Sequence, residues 1–499
     1  MSPNRGAPTA PIELGGDPAD ATPRTATPVV EVGPDVVRRL EDACSSVTTD
    51  PAELAEASRD WWPLAMVWAL DNRLGGKAGA VARPRSTDEV AAVVTVCNED
   101  RVPLTVAAGR SGVSGASVPV FGGVVLDLTG LSGIVDVDPR SLVLDVGTGT
   151  FGDVLEEELR GEHGLTLGHW PQSVALSTVG GWLACRGAGQ LSNRYGKIED
   201  LVLGLDVVLA DGTLVHTGGS PRAAVGPDLN QLFVGSEGTL GVIVGARLRL
   251  HPAPTAEQRA AYAFDSFADG LDACRRVVQR GADPAVMRLY DAVEADRSYQ
   301  TGEASVLLVL DEGDPATVPA NMAVVGEECA AADRLDEALV GRWLEHRNDV
   351  AILESLISAE WVVDTMEVAG RWGCLPAMYE RTVEAISAVE HTRAASAHQS
   401  HAYTDGACLY FTFAGKPPPE DRERYYTEVF DAAVAAVLAE GGALSHHHGV
   451  GLNRGRFVPE ALGPAFDVVV AMKQALDPNG ILNPGKLGLP SPFGEVAWP

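Results

Sequence analysis

Ala108-Gly109-Arg110-Ser111-Gly112-Val113-Ser114-Gly115 follows a short apolar run, Leu104 to Ala107, whose composition suits a strand. Glycines in that turn let the chain double back tightly, so that backbone N–H groups can close around an anion such as a pyrophosphate. Alone the pattern is weak, because G-x-G runs are common and most mark plain turns. Two familiar phosphate loops are excluded. No helix of period 3.6 follows, and no acidic residue ends a second strand at the distance a Rossmann fingerprint requires. The Gly-Lys-Ser/Thr of a Walker loop is also absent.

Working outward, two further segments share this texture. Pro171 to Trp182 is a run of small and hydroxyl residues bounded by glycines, and Gly235-Ser236-Glu237-Gly238-Thr239-Leu240-Gly241 opens another apolar run. Three such loops could cradle a long, phosphorylated, flat cofactor. Around them the pattern predicts strands at Val124–Leu128, Leu142–Val146 and Gly241–Leu250, and helices at Val90–Cys97 and Phe151–Arg160. Ser86 and Glu89 form a capping box for the first of these helices. Leu201–Leu209 and Thr213–His216, joined through Asp211-Gly212, read as a hairpin with a type I′ turn.

From Ala256 to about Gly442 the pattern changes. Helices are predicted at Phe267–Arg280, Ala320–Leu339, Asp349–Ser358, Met378–Val389 and Pro419–Glu440, with strands at Ala285–Tyr290, Ala304–Leu310 and Ala407–Phe413. That mixture predicts an α+β layer in which an antiparallel sheet carries helices on one face. A last helix starts near Pro459 and ends at Asp477-Pro478-Asn479-Gly480. The expected units are a flexible leader with a short helical segment (1–75), the glycine-loop domain (76–254), a cap (255–455) and a return segment (456–499).

Composition bounds the function. The 499 residues are 45% hydrophobic and 21% charged, an ordinary globular mixture, with 68 acidic against 38 basic residues and a net charge of -30. Such a surface repels nucleic acid and anionic lipid, so a negatively charged small substrate would need a local basic pocket. Seven widely spaced cysteines without a C-x-x-C pair fit a reducing cytosol, and Met1 to Gly33 has neither the basic start nor the apolar core of a signal peptide. A cytoplasmic protein is expected.

Three places could carry chemistry. In Val286-Met287-Arg288-Leu289-Tyr290, strand alternation sets Arg288 with Val286 and Tyr290, and its guanidinium suits a carboxylate or phosphate, although a structural ion pair is the commoner role. In Cys408 to Phe413 the same rule sets Tyr410 with Thr412, against Leu409, Phe411 and Phe413. Ser445-His446-His447-His448-Gly449-Val450-Gly451 could be an exposed loop, a metal site or an acid/base cluster. Adjacent histidines are not expected to converge on one ion, so no metal is expected.

Residues 76 to 254 resemble the FAD-binding domain of the vanillyl-alcohol oxidase and p-cresol methylhydroxylase flavoproteins, which implies a two-lobed α+β fold of that type. By this resemblance Ala108, Gly109, Arg110, Ser111 and Gly112 belong to the pyrophosphate loop. Gln172, Ser173, Ser177, Thr178, Cys185 and Arg186 would lie along the cofactor, as would Glu237, Gly238, Thr239 and Ile243. Arg110 stands where a third glycine is more usual. The loop has no His or Cys where bicovalent relatives attach their flavin, so non-covalent FAD is implied. The region from Gly76 to Leu487 is similar to the alkylglycerone-phosphate synthase (alkyldihydroxyacetonephosphate synthase) branch, most specifically at His446 to Gly451. That similarity implies Arg288 as substrate-binding, Tyr410 as catalytic and His446, His447 and His448 as essential. The implied reaction exchanges the acyl chain of acyl-dihydroxyacetone phosphate for a fatty alcohol, with a homodimer and a peripheral membrane contact as expectations. Gly370 to Pro376 has no counterpart in that branch, and Arg371 there is a candidate second anion contact. The alternative is FAD-dependent oxidation of a D-2-hydroxy acid or related alcohol.

Overall fold

The computed structural model describes residues 5–25 and 27–497. Four short apolar strands open the first lobe: β1 (Val47–Thr48), β2 (Ala80–Ala82), β3 (Leu104–Ala107) and β4 (Val124–Asp127), in the order β1-β2-β4-β3. β2 and β3 both run parallel to β4, and α1 (Thr87–Asp100) makes the crossover between them. Ser86 caps α1 through the Glu89 N–H at 3.2 Å, but the returning bond from the Glu89 carboxylate goes to the Arg85 N–H at 2.9 Å, one residue earlier than a capping box requires.

Beside this sheet lie β5 (Ile134–Asp138), β6 (Val143–Gly147), β7 (Val202–Val208), β8 (Leu214–Gly218) and β9 (Val242–Arg249), antiparallel in the order β8-β7-β9-β6-β5. The β7–β8 hairpin forms as expected with a different turn. Gly212 alone takes positive φ (83°), its N–H bonding the Leu209 carbonyl while the Leu209 N–H bonds Thr213, which is a type I turn closed by a glycine bulge. α2 (Val179–Cys185) packs against β9.

The second lobe is one seven-stranded antiparallel sheet. Its strands are β10 (Ala256–Phe264), β11 (Val286–Tyr290), β12 (Ser305–Gly313), β13 (Asp333–Leu335), β14 (Val362–Arg371), β15 (Thr392–Ala402) and β16 (Gly406–Gly415), in the order β13-β10-β12-β11-β15-β16-β14. Alternation divides it into two cores. Met287, Leu289, Leu307, Val309, Leu409, Phe411 and Phe413 pack under the helices α3 (Phe267–Gln279), α4 (Leu375–Ala388) and α5 (Arg422–Ala439). Val286, Tyr290, Val306, Leu308 and Leu310 face the other way, against Leu191 and Tyr195 of the first lobe and Trp343 of the helix Ala338–His346. A site that needs both lobes therefore lies on this second face.

Three expectations need correction. The single helix read over Ala320–Leu339 is a helix at Val318–Glu328, the edge strand β13, and the helix at Ala338–His346. Unpaired N–H and C=O groups along β10 recruit Asp333 to Leu335, overriding the helical preference of the alanines before them. The tail helix breaks at Gly463-Pro464 into Val458–Leu462 and Ala465–Leu476. The leader, read as flexible, packs where it is described: Ile12 is buried and its carbonyl accepts from Arg59 at 2.6 Å, while Thr22–Pro23 pairs in parallel with Arg73–Leu74. Met1 to Asn4 and Ala26 lie outside the described residues. At the far end the chain returns to β3, where the Leu104 N–H and carbonyl bond Ile481 and Asn483.

Candidate active site

Close backbone contacts draw the glycine loops together. A Cβ on Gly109 would lie 2.3 Å from the Leu176 carbonyl oxygen, and one on Gly451 would lie 2.0 Å from that of Ser114. Only glycine allows these approaches. Arg110 occupies the left-handed region (φ 53°), which explains why glycine would serve at that position, and its guanidinium is anchored 3.3 Å from Asp127 at the end of β4. The loops 108–115 and 172–178 thus meet, and the histidine loop 445–451 packs against the first of them.

Within these loops most predicted contacts have local duties. Ser177 Oγ donates to the Ser173 carbonyl and accepts from Trp182 Nε1 at 2.7 Å, while Thr178 caps α2. Thr239 bonds the Ser236 carbonyl. Arg186 pairs outward with Gln231, and burial pushes the Cys185 thiol up to about 12, so it stays protonated. Ile243 is buried in the core beside Val207 and Phe233, and Gln172 lines a cleft between the lobes. Ser236 Oγ, both ring nitrogens of His169 and Asn483 Oδ1 are buried without a hydrogen-bond partner among the described residues. Orphaned polar atoms beside glycine-only loops fit a bound dinucleotide.

Two buried carboxylates hold the histidine loop, and neither was assigned this duty by the sequence. Glu367 on β14 is fully buried; its Oε1 accepts from Ser445 Oγ (2.5 Å) and from the N–H groups of His446, His447 and His448 (3.1, 2.9 and 2.7 Å). Its Oε2 accepts from Arg454 at 2.5 Å and lies 3.0 Å from His448 Nδ1. Burial alone would raise the Glu367 pKa, but the Arg454 guanidinium and His448 outweigh it and hold the carboxyl well below its usual range. Glu237, expected to touch cofactor, instead accepts from the N–H groups of Val450 (2.5 Å) and Gly451 (2.9 Å).

The rings divide unequally. His448 turns to Glu367, so the three adjacent rings do not all point one way, whereas one ring nitrogen each of His446, His447 and the more distant His401 lie within 4.8 Å of one another. His446 Nε2 bonds Tyr403 OH at 2.8 Å, and His401 Nδ1 bonds Ser192 Oγ at 2.7 Å. Burial, then the nearby Lys197 ammonium, pushes His446 down to about 3; burial and neighbouring imidazoles push His401 and His447 well down. These imidazoles are neutral proton acceptors at physiological pH.

Arg288 and Tyr410 join this cluster through a residue that the sequence did not reveal. His398 on β15 stacks on Tyr410 (4.7 Å, 18°) and lies 2.6 Å from the Arg288 guanidinium, which also donates to Tyr290 OH at 2.8 Å. Because a guanidinium only donates, His398 Nε2 accepts and Nδ1–H points at Glu294, 3.1 Å away. Tyr410 OH donates to Thr365 Oγ1 at 3.1 Å, and burial pushes its phenol up. Tyr410 is therefore held protonated, as a hydrogen-bond donor. Arg371 is exposed at the end of β14 and lines no cavity with Arg288; the cations that do are Arg342 and Arg347.

Two predictions follow from this geometry. Glu367→Ala leaves Arg454 buried without its partner and is expected to cost about 3–5 kcal/mol, read from the urea midpoint; a loss below about 1 kcal/mol would show that the loop stands without it. Burial also places His398 near 4 and His446 near 3, against about 6.5 for an imidazole in the unfolded chain. The unfolded chain takes up these protons first, so the thermal midpoint should be level above about pH 7 and fall from about pH 6.5 toward pH 4. A midpoint unchanged down to pH 5 would contradict this assignment.

Residues 78–218 match the family model of the FAD binding domain, and residues 253–487 match that of the FAD linked oxidases, C-terminal domain. The chain is 30% identical over 430 residues to the FAD-linked oxidoreductase YgcU of Escherichia coli (strain K12), covering 82% of this chain and 88% of that one. It is 29% identical over 447 residues to the alkyldihydroxyacetonephosphate synthase of Dictyostelium discoideum, covering 82% and 72%. The structure of p-cresol methylhydroxylase with substrate bound superposes with a TM-score of 0.76 at 18% identity, covering 93% of this chain and 99% of that one, a likeness of fold. The glycine-only loops, the buried orphan atoms beside them and the two family matches together establish that this chain belongs to the FAD-linked oxidase family of flavoproteins and that its cofactor is FAD.

Proposed function

We propose that the protein oxidises a compact, anionic alcohol such as a D-2-hydroxy acid. The observation that carries this reading is the cleft beside Arg288. Its volume is about 340 Å³, and its walls are mixed: Arg288, Arg342, Arg347, Glu294, Gln172 and Gln190 face it, with Trp343, Ile352 and tyrosine rings interspersed among them. This is the size and lining of a small-molecule pocket. A long acyl chain would need a continuous apolar channel, which this lining does not supply.

In this mechanism Arg288 grips the substrate carboxylate, its fork aimed by His398, whose own tautomer is set by Glu294. A neutral imidazole, His447 or His401, takes the hydroxyl proton as the carbonyl forms, while protonated Tyr410 swings its one O–H from Thr365 Oγ1 to donate to the same oxygen. Bound FAD supplies the acceptor for the hydride released from carbon. The cap sheet and the loop 445–451 keep this proton transfer away from bulk water.

A second reading is favoured by one observation: Arg288, Tyr410 and all three histidines meet in one cluster, as the similarity to the alkylglycerone-phosphate synthase branch implies. There the same cluster would grip a phosphate and remove a proton from the three-carbon unit during acyl-for-alkoxy exchange. Free thiols at all seven cysteines support a cytoplasmic setting for either reading.

The two readings part in one experiment. Adding D-2-hydroxy acids anaerobically to the flavin-loaded protein should bleach the flavin; release of fatty acid from acyl-dihydroxyacetone phosphate without bleaching would favour the exchange. Arg288→Ala should raise the substrate KM roughly 10–100-fold, the loss expected for a charge-assisted contact, with flavin content unchanged; an unchanged KM would remove its role. Tyr410→Phe should lower kcat while the flavin spectrum persists.

A further inference from the structure

The outer wall of the same cleft carries two cations that the proposed oxidation leaves unused. Arg347 follows the helix Ala338–His346, and Arg342 lies within it. Neither side chain has an ion pair or side-chain hydrogen bond among the described residues. This is unusual in a chain of net charge -30, where arginines readily find carboxylates.

Arg347 is nevertheless held in place. Its guanidinium lies over the Trp343 ring at 5.5 Å and the Trp170 ring at 5.8 Å, so it is pinned between aromatic faces from both lobes and half-buried there. The backbone carbonyl of Arg347 also accepts from Gln190 at 3.2 Å, which ties the same segment to the first lobe. Neither carboxylate in the wall pairs with Arg342 or Arg347 among the described residues. Glu294 faces His398 Nδ1 at 3.1 Å and Arg297 at 3.7 Å, and Asp349 accepts from the N–H of Ala351 at the start of the helix Ala351–Ser358. A cation fixed by stacking with its donors free is preorganised for an incoming anion.

We propose that Arg347, assisted by Arg342, forms a second anion site across the cleft from Arg288, and that the substrate is compact and carries two anionic groups: a 2-hydroxy acid bearing a second carboxylate or a phosphate. This rests on the oxidation reading, whose balance it leaves unchanged: the hydroxyl proton goes to an imidazole and the hydride to FAD. The second anionic group takes no part in bond making. It adds affinity and orientation, and a substrate without it would lose mainly KM.

The test compares D-lactate, D-malate and 3-phospho-D-glycerate as reductants of the flavin-loaded protein, with acetate and malonate as unreactive binding probes read by the flavin absorption spectrum. D-malate or 3-phospho-D-glycerate should show a KM at least about 10-fold below that of D-lactate, and whichever is lower identifies the second group. Malonate should bind at least about 10-fold tighter than acetate, and this gap should narrow with added salt. Arg347→Gln should close both gaps while leaving acetate binding and flavin content unchanged; Arg342→Gln should narrow them in part. Equal binding of acetate and malonate, or a gap that survives in Arg347→Gln, would overturn the second site. Tight malonate binding with no flavin bleaching by any hydroxy acid would leave the anion site standing and defeat the oxidation reading instead.

Discussion

The buried carboxylate of Glu367 is the contact on which the site depends. A peptide loop carrying three consecutive imidazoles has no regular partner for its N–H groups, and burying those donors unpaired would be costly. Glu367 meets three of them in sequence, takes the Ser445 hydroxyl as well, and turns its other oxygen to Arg454. Glu237 does the same for the next two donors from the opposite lobe. The strap 445–451 is therefore clamped at one end by the cap sheet and at the other by the loop that opens β9. Few conformations satisfy both carboxylates, so the rings of His446, His447 and His448 are positioned by what their backbone binds.

That clamp has an electrostatic consequence. Glu367 is ionised and pulls the pKa values of His446 and His447 upward, but burial outweighs it at both rings. Burial and mutual crowding then dominate at His401, His446 and His447, with Lys197 adding to them at His446, and these three imidazoles stay uncharged. An uncharged cluster can receive a proton. It can also stand close to Arg288 without repelling it. His398 makes the point locally, since its Nε2 accepts from Arg288 only while that ring is neutral.

Much of this was legible in the sequence because it rested on local chemistry. The glycine loops, the placement of Arg288 with Val286 and Tyr290, and the exclusion of Leu409, Phe411 and Phe413 to the opposite face all follow from turn chemistry and a two-residue period. What escaped lay on strands made by their partners. β14 and β15 carry Glu367, His398 and His401, but Thr392 to Ala402 is rich in Ala, Ser, His and Gln, residues with little strand preference. Their extended form is imposed by pairing with β16 on either side. Arg347 escaped because the helical reading ran through Ala320–Leu339 and hid the chain reversal that brings the next helix over the cleft. Arg371 was assigned an anion contact on residue type alone, and the register of β14 against β16 leaves it at the exposed strand end opposite Gly406.

The acidic surface and the cationic cleft belong to one design. Charges spread over the exterior are screened within roughly 8–10 Å at physiological salt, whereas a guanidinium partly removed from water and stacked between tryptophans is screened far less. An anion approaching this protein therefore meets weak repulsion at a distance and strong attraction only inside the cleft. On the proposed reading, affinity for a small anion then depends on Arg342 and Arg347, held over the cleft by the end of the helix Ala338–His346, opposite the sheet face that carries Arg288.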